Sequence, residues 1–283
     1  MNISLEENSN KKTESVSTIV KTCRNGQFGN KSNYYSQKKT NPWNDKRLEI
    51  INAKYFNNCR VLDIGCHEGY LPIHIFLKYQ TSKIDAIDVD TTTLIRAVKR
   101  VQIIDKIIKN QNLSDSEINL KLFEEDKILG AVKIYKKYCN KKPILSGITF
   151  MCKNIIDLDP YMKTMKYDTI LALKLTKYIH LNFGDEGIIT MFKNIFCLLN
   201  VGGHLILQSQ SFKKYKKMKN FVGVFKKNIN QIKLFPEKFI EFLTLNFSLE
   251  LISSNSFNDD FNNYNIESPI LIFQKTGNLT SLL

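Results

Sequence analysis

Between Arg60 and Phe76 the chain reads RVLDIGCHEGYLPIHIF. A run of apolar, strand-forming residues breaks at Gly65-Cys66-His67-Glu68-Gly69, and a helix-forming stretch starts at Tyr70. A strand that ends in a glycine turn and continues as a helix is the first half of a β-α-β unit. The rhythm recurs downstream. Strands are predicted over 83–89, 147–151, 167–173 and 204–208. Helices are predicted over 70–79, 91–109 and 186–199, and in the last of these Ile188, Phe192, Ile195 and Leu199 share one face. Strands that alternate with helices form a parallel sheet covered on both faces, with ligands bound at the carboxyl ends of the strands. Two further strands, 247–253 and 269–275, are spaced to pair as an antiparallel hairpin. The expected fold class is therefore α/β, a mostly parallel sheet with an antiparallel C-terminal strand.

The turn itself narrows the ligand. A dinucleotide fingerprint would read G-x-G-x-x-G. Here the spacing is Asp63-x-Gly65-x-x-x-Gly69. It resembles the first motif of class I S-adenosylmethionine (SAM) dependent methyltransferases, which are Rossmann-like. Glycine allows close backbone approach to a ligand and accepts positive φ. An acid at the end of the second strand would bind the ribose hydroxyls, and Asp88 stands there, with Asp90 the lesser candidate.

Outside this frame, residues 1–24 are polar and read as a disordered tail. Residues 28–43, FGNKSNYYSQKKTNPW, mix aromatics with Asn, Gly and Lys and read as an ordered arm. Residues 110–143 are lysine-rich, break the rhythm and read as an insertion within a single domain over 25–283. The net charge of +14 suits a polyanionic partner. Six cysteines without a CxxC pair, and no signal peptide, read as free thiols in a reducing compartment, with no metal site expected. No apolar run approaches the ~18 residues a membrane span needs.

A longer stretch is more specific. Leu175 to Gly187 reads LTKYIHLNFGDEG, and upstream the arm carries Gly29-Asn30-Lys31-Ser32-Asn33-Tyr34-Tyr35. Both resemble the RNA methylphosphate capping enzymes, the bicoid-interacting protein 3 family, and Arg47 matches an arginine that precedes the family's first strand. The likeness covers roughly 28–275 apart from the insertion. It implies a SAM-dependent methyltransferase acting on the 5′-phosphate of a small non-coding RNA, most simply the γ-phosphate of a 5′-triphosphate. It implies cofactor contacts at Tyr35 and Arg47, at Gly65, Cys66 and His67 within the Asp63–Gly69 motif, and at Asp88 and Val89. Asn154, Ile155 and Leu173 complete that set. The sequence departs from the family at His67, where Asn is usual, and at Gln208-Ser209-Gln210-Ser211-Phe212, where the family has E-P-Q-P-W. Identity of the RNA is the property those departures touch.

The chemistry is consistent with this. A phosphate oxygen is already anionic at neutral pH, so its methylation calls for alignment rather than a general base. Lys177 and His180, past the fourth strand, are candidates for gripping the terminal phosphate, and Tyr34 for closing over the site or stacking on the first nucleotide. From Gln208 through Lys238 the chain has nine lysines and one acid. Lys213, Lys214, Tyr215, Lys216 and Lys217 form a basic, aromatic cluster suited to RNA. Other readings stay open: an RNA base or ribose methyltransferase, against which the absence of an N/D-P-P-Y tetrad speaks, a catalytically weak RNA-binding module of the same fold, and a small-molecule methyltransferase. The expected partners are RNA and an RNA-binding protein within a ribonucleoprotein. The chain is expected to be a monomer and nuclear, the cytoplasm being the alternative.

Overall fold

In the computed structural model, the described residues are 26–29, 43–109, 144–254 and 268–278. The tail 1–24, the insertion 110–143 and most of the arm, including Tyr34 and Tyr35, lie outside them. The elements run α1 (Arg47–Ile50), a 3₁₀ turn (Ala53–Tyr55), β1 (Arg60–Ile64), α2 (Tyr70–Lys78), β2 (Lys83–Asp88) and α3 (Thr91–Lys109). They continue with α4 (Ile144–Gly147), β3 (Ile148–Cys152), α5 (Pro160–Thr164), β4 (Tyr167–Leu173), α6 (Thr176–Leu198) and β5 (Leu199–Gln208). The last are α7 (Phe212–Lys216), α8 (Gly223–Gln231), a 3₁₀ turn (Pro236–Lys238), α9 (Phe239–Asn246), β6 (Leu249–Ser254) and β7 (Leu271–Lys275).

The seven strands form one sheet in the order β3-β2-β1-β4-β5-β7-β6. β1 to β5 pair in parallel, and β7 is antiparallel to both of its neighbours. The order reverses direction at β1 and β4, which opens a crevice at their carboxyl ends. Side chains alternate across the sheet. Leu62, Ile170, Leu205 and Leu207 point to one face, where Phe192 and Ile195 of α6 and Phe239 of α9 cover them. Val61, Leu171 and Ile206 point to the other, beneath Ile73 and Phe76 of α2 and the buried Trp43. The central strands are thus apolar on both sides, as strands buried beneath two helical layers must be. Among the described residues no helix is long and apolar enough to cross a membrane.

Three segments differ from the sequence expectation. β5 starts at Leu199 rather than after the glycines. Gly202 has φ of 81°, and the pairing with β4 shifts register between Tyr167 and Thr169. A Cβ at Gly203 would lie 2.9 Å from the carbonyl oxygen of Asn200, so glycine lets the strand continue through an irregularity instead of turning. α6 begins ten residues earlier than predicted, at Thr176, and bends at Gly184, where φ is 65° and ψ is −162°. The basic stretch after β5 is a small lobe. α7 and α8 pack around Leu181, Tyr215, Phe225, Ile229 and Ile232, apart from the two main cores.

Candidate active site

A cleft opens at the carboxyl ends of β1, β2 and β3, bounded by Gly65, Asp88, Val89, Asn154 and Ile155. The structure therefore brings together five residues singled out in the sequence. Its far wall is the first half of α6. Leu175, Tyr178, Ile179 and Phe183 face the cleft, the i, i+3, i+4, i+8 spacing of one helical face.

The glycine turn is held in a shape that ordinary residues resist. Gly65 and Gly69 both have φ of 76°, and His67 between them has φ of 52°. The amides of Gly65 and Cys66 donate to the Ile87 carbonyl at 2.8 and 3.1 Å, tying the turn to β2. Asp88 then grips the turn from above. One carboxylate oxygen accepts from the His67 amide at 2.8 Å and the other from the Asp90 amide at 3.0 Å. Burial pushes the Asp88 pKa up, and these two amides oppose it. Each oxygen keeps lone-pair capacity for a ribose hydroxyl. Asp90 serves the helix instead, with its carboxylate accepting from the Thr92 amide at 2.8 Å and its carbonyl from the Thr93 hydroxyl. The N-cap of α3 is thus Asp90 rather than Thr91 or Thr92.

Beneath the turn lie Asp63 and Cys66, both buried. Burial raises the Asp63 carboxyl to about 7, with the nearby Arg47 pulling it down and Asp88 and Asp45 pushing it up. Arg47 is itself held by Asp45, at 2.5 Å between Nη2 and Oδ2 and 2.9 Å from Nε to Oδ1. Burial also raises the Cys66 thiol well above its ordinary value. Leu173 ends β4 against the core under α2. Leu175, two residues further on, takes the place at the cleft that Leu173 was expected to have.

The short segment 26–29 docks on α6, a contact the sequence did not announce. Asn182 donates to the Gln27 carbonyl at 3.0 Å and accepts from the Gln27 side chain at 2.9 Å. Phe28 lies 6.2 Å from Phe183, ring to ring, and reaches the cleft. Gly29, at φ of 83°, lies so close to the Tyr178 ring that a Cβ would come within 2.8 Å. The sequence did single out Phe28 and Gly29 as the start of the arm, but their docking partner was legible only in three dimensions.

Lys177 and His180 sit in the first half of α6 but do not line the cleft. The Lys177 ammonium lies 4.6 Å from the Tyr178 ring centroid, behind the cleft wall. His180 is fully buried. Its Nε2 is 2.7 Å from Asp185, and its ring packs against Tyr215 and Phe239. Burial lowers its pKa, opposed by Asp185. A ring so enclosed cannot touch a terminal phosphate, so the phosphate-gripping role expected of His180 is corrected to a structural one. Tyr215 needs the same correction. It is fully buried at the centre of the small lobe, with Phe212 of the same helix packed beside it, and so it does not contact RNA. Lys213, Lys216 and Lys217 are exposed on the same helix and Lys214 is half-buried. Among the described residues no group of His, Cys, Asp or Glu is placed to hold a metal ion.

Comparison with known proteins bears on this geometry. Residues 167–275, from β4 through the basic lobe to β7, match the bicoid-interacting protein 3 (Bin3) family. The resemblance read in the sequence is borne out by that match. A probable RNA methyltransferase of Arabidopsis thaliana is 28% identical over 88% of this chain and 80% of its own length. The human 7SK snRNA methylphosphate capping enzyme is 29% identical over 79% of this chain, but only 36% of its own length is covered. The U6 snRNA methylphosphate capping enzyme Amus of Drosophila melanogaster is 29% identical over 77% of this chain and 65% of its own. Among solved structures, the plantazolicin methyltransferase BpumL, in complex with a desmethyl analogue and SAH, superposes with a TM-score of 0.50 at 12% identity, over 87% of this chain and 90% of that one. The fold is the expected one, that of the class I SAM-dependent methyltransferases.

The cleft residues fit SAM. Asp88 offers a carboxylate to a ribose diol, Val89, Ile155 and Ile179 offer apolar surface to a purine, and the left-handed turn brings backbone close to the ligand.

Proposed function

We propose that this chain is a SAM-dependent RNA methyltransferase that methylates the 5′-terminal phosphate of a small non-coding RNA, most simply the γ-phosphate of a 5′-triphosphate. The observation that carries this reading is the overlap of the family match with the working parts of the fold. Residues 167–275 include the cleft wall on α6 and the lysine lobe that follows β5. Similarity to capping enzymes from two animals supports the RNA substrate. The catalytic domain would span 25–283, and a nuclear location follows from the same reading.

SAM supplies a methyl group already activated on a sulfonium. An acceptor phosphate oxygen, which carries its own negative charge, would take that methyl group without a proton to remove. The chain's part is alignment and charge. Asp88 and the turn hold the nucleoside end. Lys177 adds positive potential behind Tyr178. The exposed lysines of α7 take the RNA backbone. Tyr34 is proposed to close over the site or stack on the first nucleotide, and Tyr35 and Arg47 to contact the cofactor. A fully buried His180 with a lowered pKa is compatible with this chemistry, which asks for no general base.

The test is methyl transfer from labelled SAM to one short RNA carrying a 5′-triphosphate, 5′-monophosphate or 5′-hydroxyl. Label on the triphosphate RNA that is lost on pyrophosphatase treatment is the expected result. Label on the monophosphate alone would move the acceptor to the α-phosphate. Equal label on all three would sink the phosphate reading in favour of base or ribose methylation. No label, with RNA binding intact, would favour a binding module.

A further inference from the structure

The face of α3 that meets the glycine turn carries Arg96, Ala97 and Arg100, and all three touch it. Arg100 is buried. Its Nη1 donates to the main-chain carbonyl of Glu68, inside the turn. Its Nη2 donates to the Tyr70 hydroxyl at 2.8 Å and lies 3.5 Å from the Glu68 carboxylate. The guanidinium stacks 3.8 Å from the centroid of the Tyr70 ring. Arg96 reaches the other Glu68 oxygen at 3.0 Å. Between the two arginines, the Ala97 methyl group approaches Gly69 so closely that a Cβ there would come within 2.8 Å.

From these contacts we infer that Arg100 is a positioning residue of the cofactor turn, and that Glu68 is the handle through which it acts. The inference rests on the reading that this turn holds SAM. Two successive kinks, His67 at φ of 52° and Gly69 at 76°, flank Glu68. A non-glycine residue in the left-handed region persists only where its surroundings over-determine it. On one side Asp88 holds the His67 amide, and on the other Arg100 holds the Glu68 carbonyl. The turn is thus pinned at the peptide groups on either side of the His67–Glu68 bond, by Asp88 at the end of β2 and Arg100 on α3, before any ligand arrives. Such preorganisation raises affinity by removing the cost of ordering the loop on binding. Lysine could keep the charge of Arg100, but not the fork that serves carbonyl, carboxylate and phenol together.

The test uses the full chain with Arg100→Lys, Glu68→Gln and Arg96→Ala, and reads SAM affinity by calorimetry, affinity for a short 5′-triphosphate RNA, and amide exchange across 65–69. Arg100→Lys is expected to weaken SAM binding roughly tenfold, to speed exchange at the turn more than in β4 or β5, and to leave RNA affinity within about twofold. Glu68→Gln keeps the carbonyl contact and is expected to show a smaller loss of the same kind. Arg96→Ala, which touches only the carboxylate, is expected to change little. If Arg100→Lys does not fold, Glu68→Gln carries the test through the exchange at the turn. Folded variants that bind SAM as the wild type does, with unchanged exchange at 65–69, would overturn the inference. A wild-type protein that does not bind SAM would instead overturn the reading of the turn, and the positioning role with it.

Discussion

Nε2 of His180 lies 2.7 Å from Oδ1 of Asp185, across the bend at Gly184. The second Asp185 oxygen accepts from the amides of Lys233 and Leu234, at 2.9 and 3.2 Å, in the segment that follows α8. Asn228 of α8 donates to the Leu181 carbonyl at 2.9 Å. The pair therefore fastens the basic lobe to the helix that walls the cleft. Leu175 and Tyr178 face the cleft while His180 and Leu181, on the opposite side of the same helix, face the lobe. The bend at Gly184 is what allows His180 and Asp185 to meet.

Loss of this fastening should loosen the lobe without touching the cofactor turn. Asp185→Ala leaves two amides and a buried imidazole without their acceptor, which costs about 1–3 kcal/mol of stability. The expected kinetic signature is a raised KM for RNA with an unchanged KM for SAM. Equal losses for both substrates would mean that the pair supports the whole domain rather than the lobe.

Asp88 offers a second test. Its two oxygens serve two backbone donors, His67 and Asp90. In Asp88→Asn one of those donors must face an NH2 group. The unpaired donor costs about 1–3 kcal/mol, so SAM affinity is expected to fall by roughly one to two orders of magnitude. Calorimetric titration checks this, and the same substitution at Asp90 should act on stability instead.

The residues proposed to hold the cofactor were legible because their signal is local. A strand, a turn glycine and a strand-end acid are adjacent in sequence or one β-α-β step apart, and the fold keeps them so. The start of α6 was not legible. Leu175, Ile179 and Phe183 are spaced for a helix, but Lys177, His180 and Asn182 interrupt them with polar groups, and the His180 ring packs against Tyr215 and Phe239, which are distant in sequence. Asn182 binds Gln27, 155 residues away. Tyr215 misled for a related reason. Four lysines around one tyrosine look like a nucleic-acid patch, but Phe212 and Tyr215, three residues apart on one face of the short helix, turn toward the small core.

Two buried groups give the fold opposite responses to pH. His74 is held down to about 4 by burial and by Lys78, with Asp45 opposing. Its ordinary value is ~6.5, so below that pH the unfolded chain binds a proton that the folded chain resists. Stability is expected to fall from about pH 6.5 toward 4, by on the order of 2 kcal/mol from this group. Asp63, raised to about 7, acts in the other sense. Between ~3.9 and its folded value the native state holds the proton and the unfolded state does not, so stability from this group falls as pH rises through that window. Asp63→Asn should therefore raise Tm more at pH 8 than at pH 5, and His74→Gln should flatten the acid limb. Denaturation series at both pH values check the pair, and a pH-independent effect of Asp63→Asn would contradict the assigned burial of its charge.

The lysine lobe predicts a dependence on salt. Lys213, Lys216 and Lys217 are exposed and no acid lies nearer in the chain than Glu237 on the C-terminal side. If they meet RNA phosphates, each one lost removes about one released counterion, so the slope of log affinity against log salt should decrease by roughly 0.7–1 per substitution to glutamine. The weakening should be similar for RNAs of unrelated sequence, because phosphate contacts carry position rather than sequence. SAM affinity should not move, since the lobe shares no residue with the cleft. A triple variant with an unchanged salt slope would assign these lysines to a solvated surface and leave the arm and the cleft wall to hold the RNA.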